Sequence, residues 1–117
     1  MIDINNSQRY YAGVYYEVPR MLGSVEMLYD GRKYIRPAAA AVALRCDLSD
    51  LLNALSSHKK AVYKNYGASA LAKYGNLNFN AHAQDSVYLD GWVSFFRCFK
   101  DDMSKDLVKC LEKESAA

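Results

Sequence analysis

The sequence holds no apolar run long enough to cross a bilayer: its longest uninterrupted apolar stretch is Ala38–Leu44, against the roughly 20 residues a spanning helix needs. The stretch Met1–Ser7 has neither a basic start nor an apolar segment, so no secretory signal is expected. Cysteine is scarce. Cys46, Cys98 and Cys110 are odd in number and share no CxxC spacing, which argues against a disulfide framework and for a reducing, cytosolic or nuclear compartment. No GxSxG, P-loop, HExxH or dinucleotide fingerprint occurs, so no enzymatic activity is expected and no cofactor is implied. Repeats, linkers and low-complexity segments are missing as well.

What is present is one domain's worth of chain. A length of 117 residues suffices to bury a core without metal or disulfide. With 51% hydrophobic and 24% charged residues, the composition is that of an ordinary globular protein. Ten tyrosines stand out, a residue equally suited to sheets, interfaces and nucleic-acid surfaces. The net charge of +2 conceals an uneven distribution. Residues 31–84 carry eight Lys/Arg against Asp47 and Asp50, giving +6, while the remainder carries seven basic and eleven acidic residues, giving −4. No acidic residue lies between Leu51 and Gln84. Such a basic middle can face an acidic partner.

The pattern predicts an α+β domain, with a short β-hairpin and small antiparallel sheet packed with three to five short helices. Arg9–Val18 alternates as a tyrosine-rich strand that Pro19 should end, and Met21–Ser24 reads as a connection. Val25–Tyr29 and Lys33–Arg36 flank Asp30-Gly31, a hairpin signal when both turn positions take positive φ. Pro37 suits a first helical turn, so Ala38–Arg45 should be a helix buried against the hairpin. Asp47 or Ser49 can cap a second helix reaching about Ser56. Ala70–Tyr74 reads as a helical turn closed by Gly75, and Asn76–His82 as a loop. Ala61–Lys64 fits strand or loop. Val87–Leu89 reads as a strand, Asp90-Gly91 as a tight turn, and Trp92–Phe99 as a helix. Asp101-Asp102 breaks it. Ser104 is a candidate cap for a last helix with Leu107, Val108 and Leu111 on its buried stripe, and Glu112–Ala117 should fray.

Tyr29–Leu44 followed by Leu48–Leu52 resembles the opening of Bro-N and KilA-N type domains, found in large DNA viruses and phage antirepressors. Val87–Arg97 and then Lys105–Leu111 are similar to the Bro-N ending: a strand, a glycine turn, an aromatic helix and a final amphipathic helix. The Bro-N-like region is thus 25–111, with 1–24 as an N-terminal extension of a single domain, 1–117. The family commonly carries a tryptophan in the last helix, where this chain has none. The resemblance implies a viral DNA-binding or regulatory domain acting in the host cytoplasm or nucleus.

Lys59, Lys60, Lys64 and Lys73 interleave with Tyr63, Tyr66 and Tyr74. Lysines neutralise phosphates and tyrosines stack on bases, which makes Tyr63 and Tyr66 stacking candidates. Arg32, Lys33 and Arg36 on a hairpin add a possible β-ribbon contact. The bland alternative is a solvated lysine face with the tyrosines packed inward. A second functional reading is a protein-interaction module, antirepressor-like or inhibiting a host or viral protein, with a homodimer as one form it can take. Trp92, Phe95, Phe96, Phe99 and the N-terminal tyrosines would supply its hot spots, although Trp92 and Phe96 suit a core better. Cys46, His58, His82 and Cys98 are metal-ligand types without the short spacing of a zinc site. Asp90, Asp101 and Asp102 fit caps and solvated breaks better than catalytic acids. Cys98 or Cys110 could form a nucleophile pair with a histidine only if the fold joined them.

Overall fold

The computed structural model describes residues 14–116. In chain order the elements are α1 (Val14–Gly23), β1 (Glu26–Met27), β2 (Lys33–Ile35), α2 (Pro37–Leu44), α3 (Leu48–Tyr66), α4 (Ala68–Tyr74), β3 (Val87–Tyr88), α5 (Leu89–Phe96) and α6 (Asp102–Ala116). The protein is α+β, with six helices among the described residues and a three-stranded antiparallel sheet ordered β1-β2-β3. Glu26 pairs with Tyr34 and Met27 with Lys33, while Tyr34 pairs with Tyr88 and Ile35 with Val87.

The hairpin forms where Asp30-Gly31 predicts it, through a different turn. Leu28 N–H donates to Arg32 O at 2.8 Å and Gly31 N–H to Leu28 O at 2.9 Å. Gly31 alone of the pair has positive φ, at 93°. The connection is thus a three-residue loop closed by a left-handed glycine, an arrangement that needs glycine only at its last position.

The sixth helix arises at the N-terminal side. Residues 9–13 of the predicted strand lie outside the described residues, and Val14–Val18 begin α1, with Pro19 inside that helix. Buried Val18 and Met21 and partly buried Leu22 recur at helical spacing. Their packing on α2 and α6 outweighs the hydrogen bond that an interior proline removes. Helix α2 starts at Pro37 as predicted. Its principal neighbours are α1 and α3 rather than the hairpin. Because Pro37 brings no N–H, the first free donor is that of Ala38, which bonds Ala83 O at 3.0 Å.

Asp47 caps α3, accepting the Asp50 N–H at 3.0 Å. The helix then continues past Ser56 to Tyr66, through the ambiguous segment around Ala61. Leu51, Leu55 and Val62 keep a helical spacing and are buried, so packing decides what propensity left open. Helix α4 ends at Tyr74 with Gly75 beyond it, as predicted.

Asp90 and Gly91 do not form a turn. They lie in the first helical turn of α5, because the chain passes directly from β3 into the helix. Gly91 has another role: a Cβ there would lie 2.5 Å from Tyr74 O. Glycine is required for α4 and α5 to touch. The centre of the core is Trp92, fully buried beside Phe95 and Phe96. Its indole N–H donates to Ile35 O at 3.0 Å, fastening α5 to β2. A buried indole needs such a partner.

Asp101, not Ser104, caps α6. Its carboxylate accepts the Ser104 N–H at 3.1 Å and the Ser104 hydroxyl at 2.8 Å. Leu107 and Leu111 are completely buried, each contributing roughly 1.5–3 kcal/mol by leaving water. The segment expected to fray is helical to Ala116, and the Glu114 carbonyl accepts from Lys33 Nζ at 2.9 Å.

Gly91→Ala should destabilise the domain by about 1–3 kcal/mol, the usual range for forcing extra atoms into a packed contact. A urea titration followed by circular dichroism measures this. An unchanged midpoint would mean that α4 and α5 separate freely.

Candidate functional site

The basic residues of the middle segment divide by environment. Arg32 Nη2 lies 2.8 Å from Asp30 Oδ2, and its guanidinium stands 4.9 Å from the centre of the Tyr88 ring. Hydrogen bonds from Arg32 hold the Asp30 carboxyl below its ordinary pKa. Lys33 bonds the Glu114 carbonyl and sits 3.4 Å from its carboxylate. Arg36 pairs with Glu26 at 3.0 Å and donates to Gln84 Oε1 at 3.1 Å. These exposed or half-exposed pairs contribute little to stability, because water and salt screen them. They do lower the positive field that the hairpin presents.

Lys59 is the largest departure from the sequence reading. It has 0% exposure and cannot meet a phosphate in this fold. Its ammonium lies 3.6 Å from Asp85 Oδ2 and donates to Asn78 O at 3.3 Å. Burial lowers its pKa, while the Asp85 charge opposes that shift. Together with Ser56, whose hydroxyl accepts the Ala81 N–H at 2.8 Å, Lys59 binds the connection of residues 75–86 to α3. Short side-chain turns stiffen the same connection: Asn76 accepts from Asn78 N–H, Asn78 from Asn80 N–H, and Asp85 from His82 N–H.

Lys60, Lys64 and Lys73 are exposed. None forms an ion pair among the described residues. Lys60 and Lys64, four residues apart on α3, share its outer face. Tyr63 is 48% exposed, with its ring edge 5.2 Å from Phe79, and Tyr66 is 76% exposed at the end of the helix. Lys73, in the last turn of α4, shares a small cleft with Tyr66 and Asp90. It also reaches a cleft of about 500 Å³ lined by Arg32, Lys33 and Tyr88. The candidates therefore form a hairpin set and an α3–α4 set, with Lys73 between them. Tyr74 is buried, as the bland reading had it, and its hydroxyl has no partner among the described residues.

The tryptophan and phenylalanine hot spots of the interaction reading are interior, while Tyr10 and Tyr11 of its N-terminal set lie outside the described residues. Trp92, Phe95 and Phe96 are at most 2% exposed, and Phe99 packs against the core. No group of three or more His, Cys, Asp or Glu able to hold a metal ion occurs among the described residues, nor does any helix there reach the length and apolarity needed to cross a membrane. One feature escaped the sequence reading, and another, the pairing of Cys98 with a histidine, was left conditional on the fold. Tyr88 lies under Arg32, which only strand register could reveal. Ser94 and Cys98, four apart, both meet His58, at 2.9 Å from Nε2 and 3.6 Å from Nδ1 respectively. Their spacing was a signal, but the position of α3 against them was not. With this geometry in view, the comparisons are negative: no family model, no curated protein and no solved structure matches the chain.

Lys59→Ala should lower stability by about 3–5 kcal/mol, since it leaves a buried carboxylate without its cation. Lys59→Met keeps the aliphatic stem and should fall between the variant and the wild type in a urea titration. A second expectation concerns His58, whose pKa burial holds below the ordinary 6.5. The unfolded chain then takes up the proton first, so the His58 contribution is complete above about pH 6.5 and lost as pH falls through the folded-state value. Urea midpoints should decline from neutral pH toward about pH 5, and His58→Gln should flatten that decline.

Proposed function

We propose that this chain is a small, non-enzymatic regulatory domain of viral or phage type that binds nucleic acid through the exposed side of α3 and α4. The observation that carries the reading is the selective freedom of three cations. Arg32, Lys33, Arg36 and Lys59 are tied to carboxylates, whereas Lys60, Lys64 and Lys73 have no ion-pair partner among the described residues and belong to a stretch that carries no acidic residue from Leu51 to Gln84. Each free lysine can exchange its counterion for a phosphate. Exposed Tyr63 and Tyr66 beside them offer stacking faces.

The order of elements supports the kinship with Bro-N domains, and through it DNA as the partner. A hairpin leads into α2 and α3, and a short strand later leads into an aromatic helix and a final amphipathic one. In this reading the hairpin cations act secondarily, since phosphate must compete with their carboxylates. Their proximity to Lys73 at one cleft allows a backbone to run from α3 towards the hairpin. The protein-interaction alternative ranks lower because the tryptophan and phenylalanine side chains it draws on form the core or pack against it. Host cytoplasm or nucleus remains the compartment that this function requires.

Replacing Lys60, Lys64 and Lys73 together by alanine should weaken binding evenly across sequences. It should also reduce the slope of log affinity against log salt by about 2–3, given roughly 0.9 per duplex phosphate neutralised. Filter binding of duplex DNA at several salt concentrations measures both. Arg36→Ala should change the slope by less than about 1. If the triple variant keeps the wild-type slope, the α3–α4 surface is not the interface.

A further inference from the structure

Beside the contact of α3 with α5, three side chains distant in sequence form a chain of polar contacts. His58 Nε2 lies 2.9 Å from Ser94 Oγ, and His58 Nδ1 lies 3.6 Å from Cys98 Sγ. The imidazole is held between aromatic neighbours, edge-on to Phe95 at 5.8 Å and tilted against Tyr74 at 5.4 Å. Its nitrogens are therefore fixed in direction. Burial keeps the ring uncharged at neutral pH. With Nε2–H donating to Ser94, the Nδ1 lone pair faces the thiol, which is the relation of base to nucleophile.

Access differs among the three thiols. Cys98 is exposed, while Cys46 and Cys110 are half-buried, and burial pushes Cys46 up to about 11. Clefts of about 610 and 770 Å³ open on the two sides of Cys98, and His58 lines both. The larger is walled by Phe95, Phe99 and Ala54, with Lys100 at its rim. Facing groups in the other are Arg97, paired with Glu112 at 2.9 Å, and Asp90.

We propose that Cys98 is a reactive thiol, activated by His58 and positioned by Ser94, that exchanges with small-molecule disulfides to form a mixed disulfide. The Sγ proton passes to His58 Nδ1 as the sulfur attacks one sulfur of the incoming disulfide. A new S–S bond forms at Cys98 while the old one breaks, and the departing thiolate takes the proton from His58. The protein thiol is oxidised, and the small disulfide is reduced to one free thiol. No other oxidant enters.

Backbone hydrogen bonding favours this exchange over acyl transfer. Cys98 N–H donates to Phe95 O at 3.2 Å and Phe99 N–H to Phe96 O at 3.1 Å, so neither amide is free to hold an oxyanion. The sulfur also lies 3.7 Å from Ser94 O. That carbonyl can accept the S–H in a hydrogen bond but cannot carry the proton away, a task left to the imidazole. The inference is independent of nucleic-acid binding.

The test uses the full folded chain with oxidised glutathione and, separately, a pyridyl disulfide. Mass spectrometry of digests assigns the rate at each cysteine. Cys98 should react about tenfold or more faster than Cys46 and Cys110 at neutral pH. His58→Gln should slow Cys98 by about tenfold without changing the other two thiols, and should alter the pH profile of the Cys98 rate. Ser94→Ala, which leaves the ring but frees it, should slow Cys98 by about threefold. An unchanged Cys98 rate and pH profile in folded His58→Gln would overturn the proposal, attributing its lead to exposure alone. Should that variant fail to fold, an unchanged Cys98 rate in Ser94→Ala overturns it equally.

Discussion

A lysine without exposed surface holds the long irregular connection of residues 75–86 in place. The connection between α4 and β3 has no ladder of its own, and beyond its side-chain turns it is held to α3 by Ser56 and by this lysine. Lys59 reaches it with a charge on Asp85 and a hydrogen bond to Asn78. In the low-polarity interior both are strong provided they are complete. Much follows from that attachment. Ala83 is brought to the start of α2 and supplies the acceptor for Ala38, and β3 arrives in register beside β2. The strand then runs directly into α5 and delivers Trp92 to the core. A group read from the sequence as a phosphate contact is thus the fastening of the interior.

Legibility in the sequence followed the range of the interaction. Local rules located the Asp30-Gly31 hairpin, the start of α2 at Pro37, the Asp47 cap and the end of α4 at Gly75. Each depends on a few adjacent residues. Failures came where distant packing decided. Pro19 lies inside a helix because α2 and α6 receive its apolar face, and α3 outlasts Ser56 because Val62 is buried. Gly91 imitates a turn residue while serving a helix crossing. Of the candidate site, composition could reveal the positive middle but not which cations already have a partner. Glu114 and Asp85 come from segments far away in the chain, and Glu26 from the facing strand of the hairpin.

Charge therefore does two kinds of work in one stretch of sequence. The arginines of the hairpin are engaged in holding local shape, with Arg32 closing its own turn and resting over Tyr88. The lysines along the outer face of α3 have no such obligation among the described residues. A polyanion approaching the molecule would meet the second group at lower electrostatic cost. On the opposite flank of the same helix, His58 faces Ser94 and Cys98. A single nineteen-residue helix thus carries a cationic side, a structural lysine and an imidazole at the thiol.

Only one tryptophan occurs in the chain, and its indole is hydrogen-bonded across the joint of α5 and β2. Its fluorescence therefore originates from one place, dry and flanked by phenyl rings. Emission from the native molecule belongs at the blue end of the indole range, and a red shift signals water entering that joint rather than a general loosening. The molecule carries its own optical gauge of whether sheet and helices remain locked together.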